Sequence, residues 1–186
     1  GHVTNGVHAP SWDSPWADRL WTETCGKSRW RTEVTGHTEA IACLSDEALW
    51  TVRNEERTDL VRYARGRLAR QLGHRGASAE TIAQTQHVLD PNALTLGFAR
   101  RFTEYNRPNL LLHDRERLAR LLTSSARPVQ LIVAGKAHPR DRQGKEFVRA
   151  WSDFIQRPDV RTHVVFLEDY DIALAQELVQ GVDVWI

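Results

Sequence analysis

Two spacings of apolar residues divide the chain. From Ser45 onward, Leu49, Val52, Leu60, Ala64, Leu68 and Leu72 fall near one helical face, which predicts a long helix. Ser45 is placed to cap it, Asp46 and Glu47 face the positive end of its dipole, and Gly73 and Gly76 end it. Ser78 is placed to cap a shorter helix running to about Leu89, closed by Asp90-Pro91. From Leu94 the pattern changes to short apolar runs separated by amphipathic stretches. Leu94 to Ala99, Val129 to Val133, Val164 to Leu167 and Val182 onward read as strands. Leu110 to Leu122, Phe147 to Ile155 and Ile172 to Leu178 read as the helices between them. Strand and helix in alternation predict an α/β fold with a parallel sheet. Ahead of all this, residues 13–36 read as short helical turns, with Trp16, Trp21 and Trp30 as packing anchors.

Parallel strands point the same way, so their carboxyl ends share one edge, and ligands in open α/β sheets bind past that edge. The first strand runs into Ala99-Arg100-Arg101-Phe102-Thr103-Glu104-Tyr105-Asn106-Arg107. The second ends in Gly135-Lys136-Ala137-His138-Pro139, the third in Glu168-Asp169-Tyr170-Asp171. Guanidinium groups match phosphate geometry, so the meeting of these tips predicts a crevice for an anionic or polyhydroxy ligand.

The bulk numbers narrow the choice. A net charge of +1 removes a global basic field that would draw in nucleic acid. Arg53, Arg57, Arg62, Arg65, Arg67 and Arg70 crowd the long helix, but Glu55, Glu56 and Asp59 offset them, and a solvated helix face is the reading. No apolar run reaches the ~20 residues that span a bilayer. Cys25 and Cys43 make no metal spacing or disulfide framework, and the histidines show no metal-ligand spacing. A cytoplasmic setting follows as the default. Dinucleotide, P-loop and nucleophile-elbow glycine patterns are absent. The lack of any methionine and the closing strand Val182 to Ile186 suggest a piece of a longer protein.

The three tips, in order, with Val3-Thr4-Asn5-Gly6-Val7-His8-Ala9-Pro10-Ser11-Trp12 ahead of them, resemble the C-terminal, cofactor-binding domain of α-glucan (glycogen or maltodextrin) phosphorylases. The resemblance covers essentially the whole chain. It implies a Rossmann-like parallel sheet with flanking helices, one of two such domains in a glycosyltransferase, with residues 1–90 as a mostly helical lead-in and 91–186 as a truncated Rossmann-like βαβ core. It implies phosphorolysis of an α-1,4-glucan by inorganic phosphate, giving glucose 1-phosphate, in a cytoplasmic and commonly dimeric parent. It implies pyridoxal 5′-phosphate as cofactor, working through its own phosphate, which exchanges a proton with the substrate phosphate. Arg101 then matches the residue holding the substrate phosphate, and Asn106 stands beside it at a catalytic position. Arg100 and Tyr170 match cofactor-binding residues. Asn5 and Tyr105 match contacts to the reacting glucose, and Lys136 and His138 lie at substrate-binding motif positions.

Two departures matter. Asn106 stands where the family usually carries a lysine, which removes one positive charge. The segment bearing the family's Schiff-base lysine is absent, so the piece is expected to be inactive alone. A nucleotide-sugar glycosyltransferase of the same architecture and a non-catalytic binding domain remain as alternatives.

Overall fold

The computed structural model describes residues 6–31 and 35–186, and the chain divides into two compact units, Gly1–Glu56 and Arg57–Ile186. The first holds α1 (Pro15–Cys25), α2 (Thr35–Ala42) and the start of α3 (Asp46–His74). α1 begins because the Ser14 hydroxyl accepts the Ala17 N–H at 2.9 Å and Pro15 supplies a preset φ. That buried hydroxyl also donates to Glu56 Oε1 at 2.5 Å, and Glu56 pairs with Arg53, so a buried carboxylate keeps its partners. Arg29 pairs with Asp13 and Asp18, and its guanidinium lies 4.5 Å from the Trp30 ring centre. Burial raises the Asp13 carboxyl above its usual range, against the pull of Arg29. Trp16 and Trp21 are half-buried, as packing anchors would be, but Trp30 is exposed and serves as a plate under Arg29.

The second unit continues α3 and adds α4 (Ala79–Gln84), β1 (Leu94–Ala99), α5 (Arg115–Leu122), β2 (Val129–Ala134), α6 (Arg142–Ile155), β3 (Val164–Leu167), α7 (Ile172–Gly181) and β4 (Val184–Trp185). The strands form one parallel sheet in the order β3-β2-β1-β4. The fold is therefore α/β and Rossmann-like, as the alternation of strands and helices predicts. One face packs Leu118 and Leu122 of α5 and Trp151 and Phe154 of α6 against Leu131 and Val133. The other packs Leu60, Val61 and Ala64 of α3 and Leu174 and Leu178 of α7 against Ile132 and Val165. β2, covered on both faces and flanked on both edges, is buried from Gln130 to Ala134.

Two predicted helices are shorter than their apolar patterns. The helix begun at Ser78 is α-helical only to Gln84 and tightens into a 3-10 turn at Thr85–His87. The leucine-rich crossover is 3-10 over Leu110–Asp114, and α5 starts where Asp114 accepts the Arg117 N–H at 2.9 Å.

The arginine face of α3 is not the solvated surface that composition suggests. Arg57, only 3% exposed, grips Asp183 with Nε and Nη2 at 2.8 and 2.9 Å and donates to the Pro91 carbonyl at 3.1 Å. Asp183 in turn accepts the Thr95 N–H at 2.8 Å, tying the chain before β4 to β1. Arg65 donates to the Val88 and Leu89 carbonyls at 2.8 and 2.7 Å. Guanidinium groups carry five donors on a long stem, so a helix laid across a sheet can reach the loop carbonyls around it. Arg62 and Arg70 stay exposed.

Candidate functional site

The sheet order puts β2 between β1 and β3, so the three predicted tips are neighbours. At the first, Arg100 and Arg101 are exposed while Phe102 turns inward and is fully buried. Its ring meets Phe98 and Phe166 edge-on, with centroids 6.1 and 5.6 Å away. The backbone stays alongside the second tip: Arg100 N–H donates to Ala134 O at 3.3 Å and Phe102 N–H to Lys136 O at 3.1 Å. Gly135, at φ +156°, makes this possible, because a Cβ there would collide with the Arg100 carbonyl and lie 2.6 Å from the Phe102 ring. Gly144 allows a similar approach of α6, since its Cβ would strike the Phe102 carbonyl. The Asn106 amide donates to Arg101 O at 2.9 Å and to Thr103 Oγ1 at 3.1 Å, closing the turn from inside. Arg107 ends it in the left-handed region, and Tyr105 is 75% exposed.

At the second tip Lys136 and His138 are exposed. His138 Nδ1 accepts the Arg140 N–H at 3.2 Å, and Asp141 caps α6 by accepting the Gly144 N–H at 2.8 Å. Lys136, Lys145 and Arg149 border a hollow of about 460 Å³ that Glu168 and Asp169 border from the third tip. There Asp169 is left-handed and Tyr170 half-buried. Burial pushes the Tyr170 phenol up, and the Arg100 charge opposes the shift. Arg100 and Tyr170 thus lie within electrostatic reach across the end of β2.

Among the described residues, Arg100, Arg101 and Lys136 have no acidic partner. Exposed cations outside ion-pairing distance of any described carboxylate suit a phosphate-sized anion, although Glu168 and Asp169 border the hollow beside Lys136. Asn5 lies outside the described residues. Among those residues no group of His, Cys, Asp and Glu is placed to hold a metal, and no helix is long and apolar enough to cross a membrane.

Sequence reasoning missed the residues that hold the site. Phe102 is an apolar residue inside a charged turn, a signal that it points back into the core. Arg67, Gln71 and Arg75 recur every four residues on α3 and all bond to the third tip.

No family model matches the chain. Curated proteins do. A glycogen phosphorylase of Mycobacterium tuberculosis (strain ATCC 25618 / H37Rv) is 41% identical over 186 residues, covering all of this chain and 21% of that protein. A glycogen phosphorylase of Aquifex aeolicus is 40% identical over 190 residues, covering all of this chain and 27% of that protein. A maltodextrin phosphorylase of Thermococcus litoralis is 34% identical over 186 residues, covering 99% of this chain and 22% of that protein. The chain spans about a fifth to a quarter of the length of these relatives, and over its whole length it belongs to the glycogen and maltodextrin phosphorylase family as a segment of it.

Proposed function

We propose that the chain is the cofactor-side portion of an α-1,4-glucan phosphorylase, a glycosyltransferase in which inorganic phosphate takes the terminal glucose and leaves as glucose 1-phosphate. Residues 1–90 serve as its helical lead-in and 91–186 as its βαβ core. The observation that carries this reading is the juxtaposition of Arg100, Arg101 and Lys136 on neighbouring strand tips with no acidic partner among the described residues. Whole-chain similarity to proteins named glycogen and maltodextrin phosphorylase supports it. The parent is a homodimer in the cytoplasm, where Cys25 and Cys43 stay as thiols.

In this reading Arg101 holds the substrate phosphate with charge-assisted hydrogen bonds, keeping a dianion beside the developing oxocarbenium centre. Lys136 adds a point charge from the next tip, and Tyr105 and Asn5 hydrogen-bond the glucose. His138 borders the same subsite. The donor set fits a phosphate monoester, so Arg100 and Tyr170 would hold pyridoxal 5′-phosphate. When bound, that cofactor supplies a phosphate group able to exchange a proton with the substrate phosphate. Asn106 adds no charge here; its amide holds the Arg101 carbonyl, so its role is to keep the turn that aims Arg101.

Titration of the chain with inorganic phosphate and glucose 1-phosphate, followed by backbone NMR, tests this. Shifts should cluster at Arg100, Arg101, Tyr105 and Lys136 and vanish in Arg101→Ala. A folded sample with no shifts there would count against an anion crevice at these tips. Shifts produced by a nucleoside diphosphate sugar and not by phosphate would favour the nucleotide-sugar transferase instead. The chain alone is expected to release no glucose 1-phosphate from maltodextrin and phosphate, and turnover would overturn that expectation.

A further inference from the structure

One stripe of α3 holds the stretch from Phe166 to Asp171 along the flank that β2 does not cover. Arg67, Gln71 and Arg75 lie four residues apart, one above another on the helix. The Gln71 amide donates to Phe166 O at 3.2 Å and accepts the Glu168 N–H at 3.0 Å. β3 is an edge strand paired only with β2, so this side-chain amide stands where a further strand would pair. Arg75 pairs with the Glu168 carboxylate. Arg67 reaches beyond the strand end: Nη2 donates to the carbonyls of Glu168 and Asp169 at 3.0 and 2.7 Å and lies 3.6 Å from the Asp171 carboxylate. Its Nη1 donates to the Tyr63 hydroxyl at 3.0 Å, which fixes the guanidinium plane.

Capping the edge of β3 explains Gln71. It does not explain Arg67, whose bonds fall on loop carbonyls past the last strand residue. What they hold is a turn with Asp169 at φ +53°, a conformation uncommon outside glycine that needs its surroundings to enforce it. Immediately after Asp169 comes Tyr170, which makes no bond to the stripe itself.

We propose that Arg67 is a positioning residue of the strand-tip crevice: with Gln71 holding the end of β3, it fixes the loop from Glu168 to Asp171 so that Tyr170 is held half-buried at the end of the sheet. The proposal rests on the phosphorylase reading only for what the crevice binds.

The test uses the 186-residue chain with 13C at the tyrosine Cζ positions, each signal assigned by Tyr→Phe substitution. In Arg67→Met the phenol of Tyr170 should lose its burial and titrate closer to the ordinary tyrosine value of 10.0, while the Tyr105 signal keeps its position. Arg67→Lys, whose ammonium can still donate to the two carbonyls, should restore part of the wild-type titration. Binding of inorganic phosphate should weaken about two- to tenfold in Arg67→Met, as for one lost hydrogen-bonded support. A folded Arg67→Met with the wild-type Tyr170 titration overturns the proposal. Arg67→Gln, which keeps one donor, serves if the methionine variant does not fold; its Tyr170 titration should be intermediate, and an unchanged one overturns the proposal equally. Absence of phosphate binding in the wild type would remove the functional reading and leave the tyrosine readout to decide the clamp.

Discussion

The first and third tips sit on the same sheet edge but are anchored in different ways. The first is anchored from below by apolar packing: Phe102 is driven into the core between Phe98 and Phe166, and Gly135 makes room for it. The third is anchored from the side by polar bonds, through Arg67, Gln71 and Arg75 on α3 and the cap that Asp171 gives Leu174. The difference follows from position. β1 is an inner strand, paired with β2 as far as Ala99 and with β4 at Leu96 and Gly97, whereas β3 is an edge strand whose open flank is filled by side chains of α3. An apolar anchor is indifferent to pH; a polar one is not.

The largest break in that contrast should come from Phe102→Ala, which deletes a fully buried ring and should cost about 3–5 kcal/mol. Urea denaturation would measure it, and a loss under about 1 kcal/mol would mean the first tip does not depend on its apolar anchor. Asn106→Ala should cost less, about 1 kcal/mol, because the Arg101 carbonyl can turn to water. Faster amide exchange from Thr103 to Arg107, with little change in the core, would be its signature.

The smallest effect is a pH response at the third tip and the helix after it. The Leu174 N–H, then burial in opposition, then the Arg67 charge set the Asp171 carboxyl, and the net result lies below its ordinary 3.8. Its contribution is therefore complete above pH 3.8 and is lost as pH falls through the lower folded value. Glu177, further along α7, has the opposite sign: burial, reinforced by the Asp59 charge, holds it above 4.5. Its ionised form is disfavoured in the fold, so stability gained there appears as pH falls through that raised value toward 4.5. Glu177→Gln should therefore stabilise the chain slightly at pH 7 and not below pH 4.5, as thermal melts across that range would show. Acid loosening of the first tip before the third would contradict the contrast between them.

The α/β architecture was legible because strand and helix periodicities alternate without overlap after Leu94, and the pairs Leu131/Val133 and Trp151/Phe154 announce the core they make. The crevice was legible as three chemically loaded strand ends. Its supports were not. Phe102 looks like part of a charged turn until the turn is seen to fold back over Gly135. The arginines of α3 look like a surface until the helix is laid across the sheet and Arg57, Arg65 and Arg67 find carbonyls and Asp183 within reach.

By itself, then, the sequence determined which residues lie at strand ends, because the periodicity of apolar positions is local and needs no partner. The family was legible for the same reason, being carried by short contiguous motifs at those ends. Only the tertiary structure decided that β2 lies between β1 and β3, and so that the tips carrying Arg100, Lys136 and Tyr170 are neighbours. Pairing order and side-chain reach depend on contacts between residues tens of positions apart, such as Arg67 with Asp169. The free energy of such contacts comes from burial and hydrogen-bond geometry that no local pattern encodes.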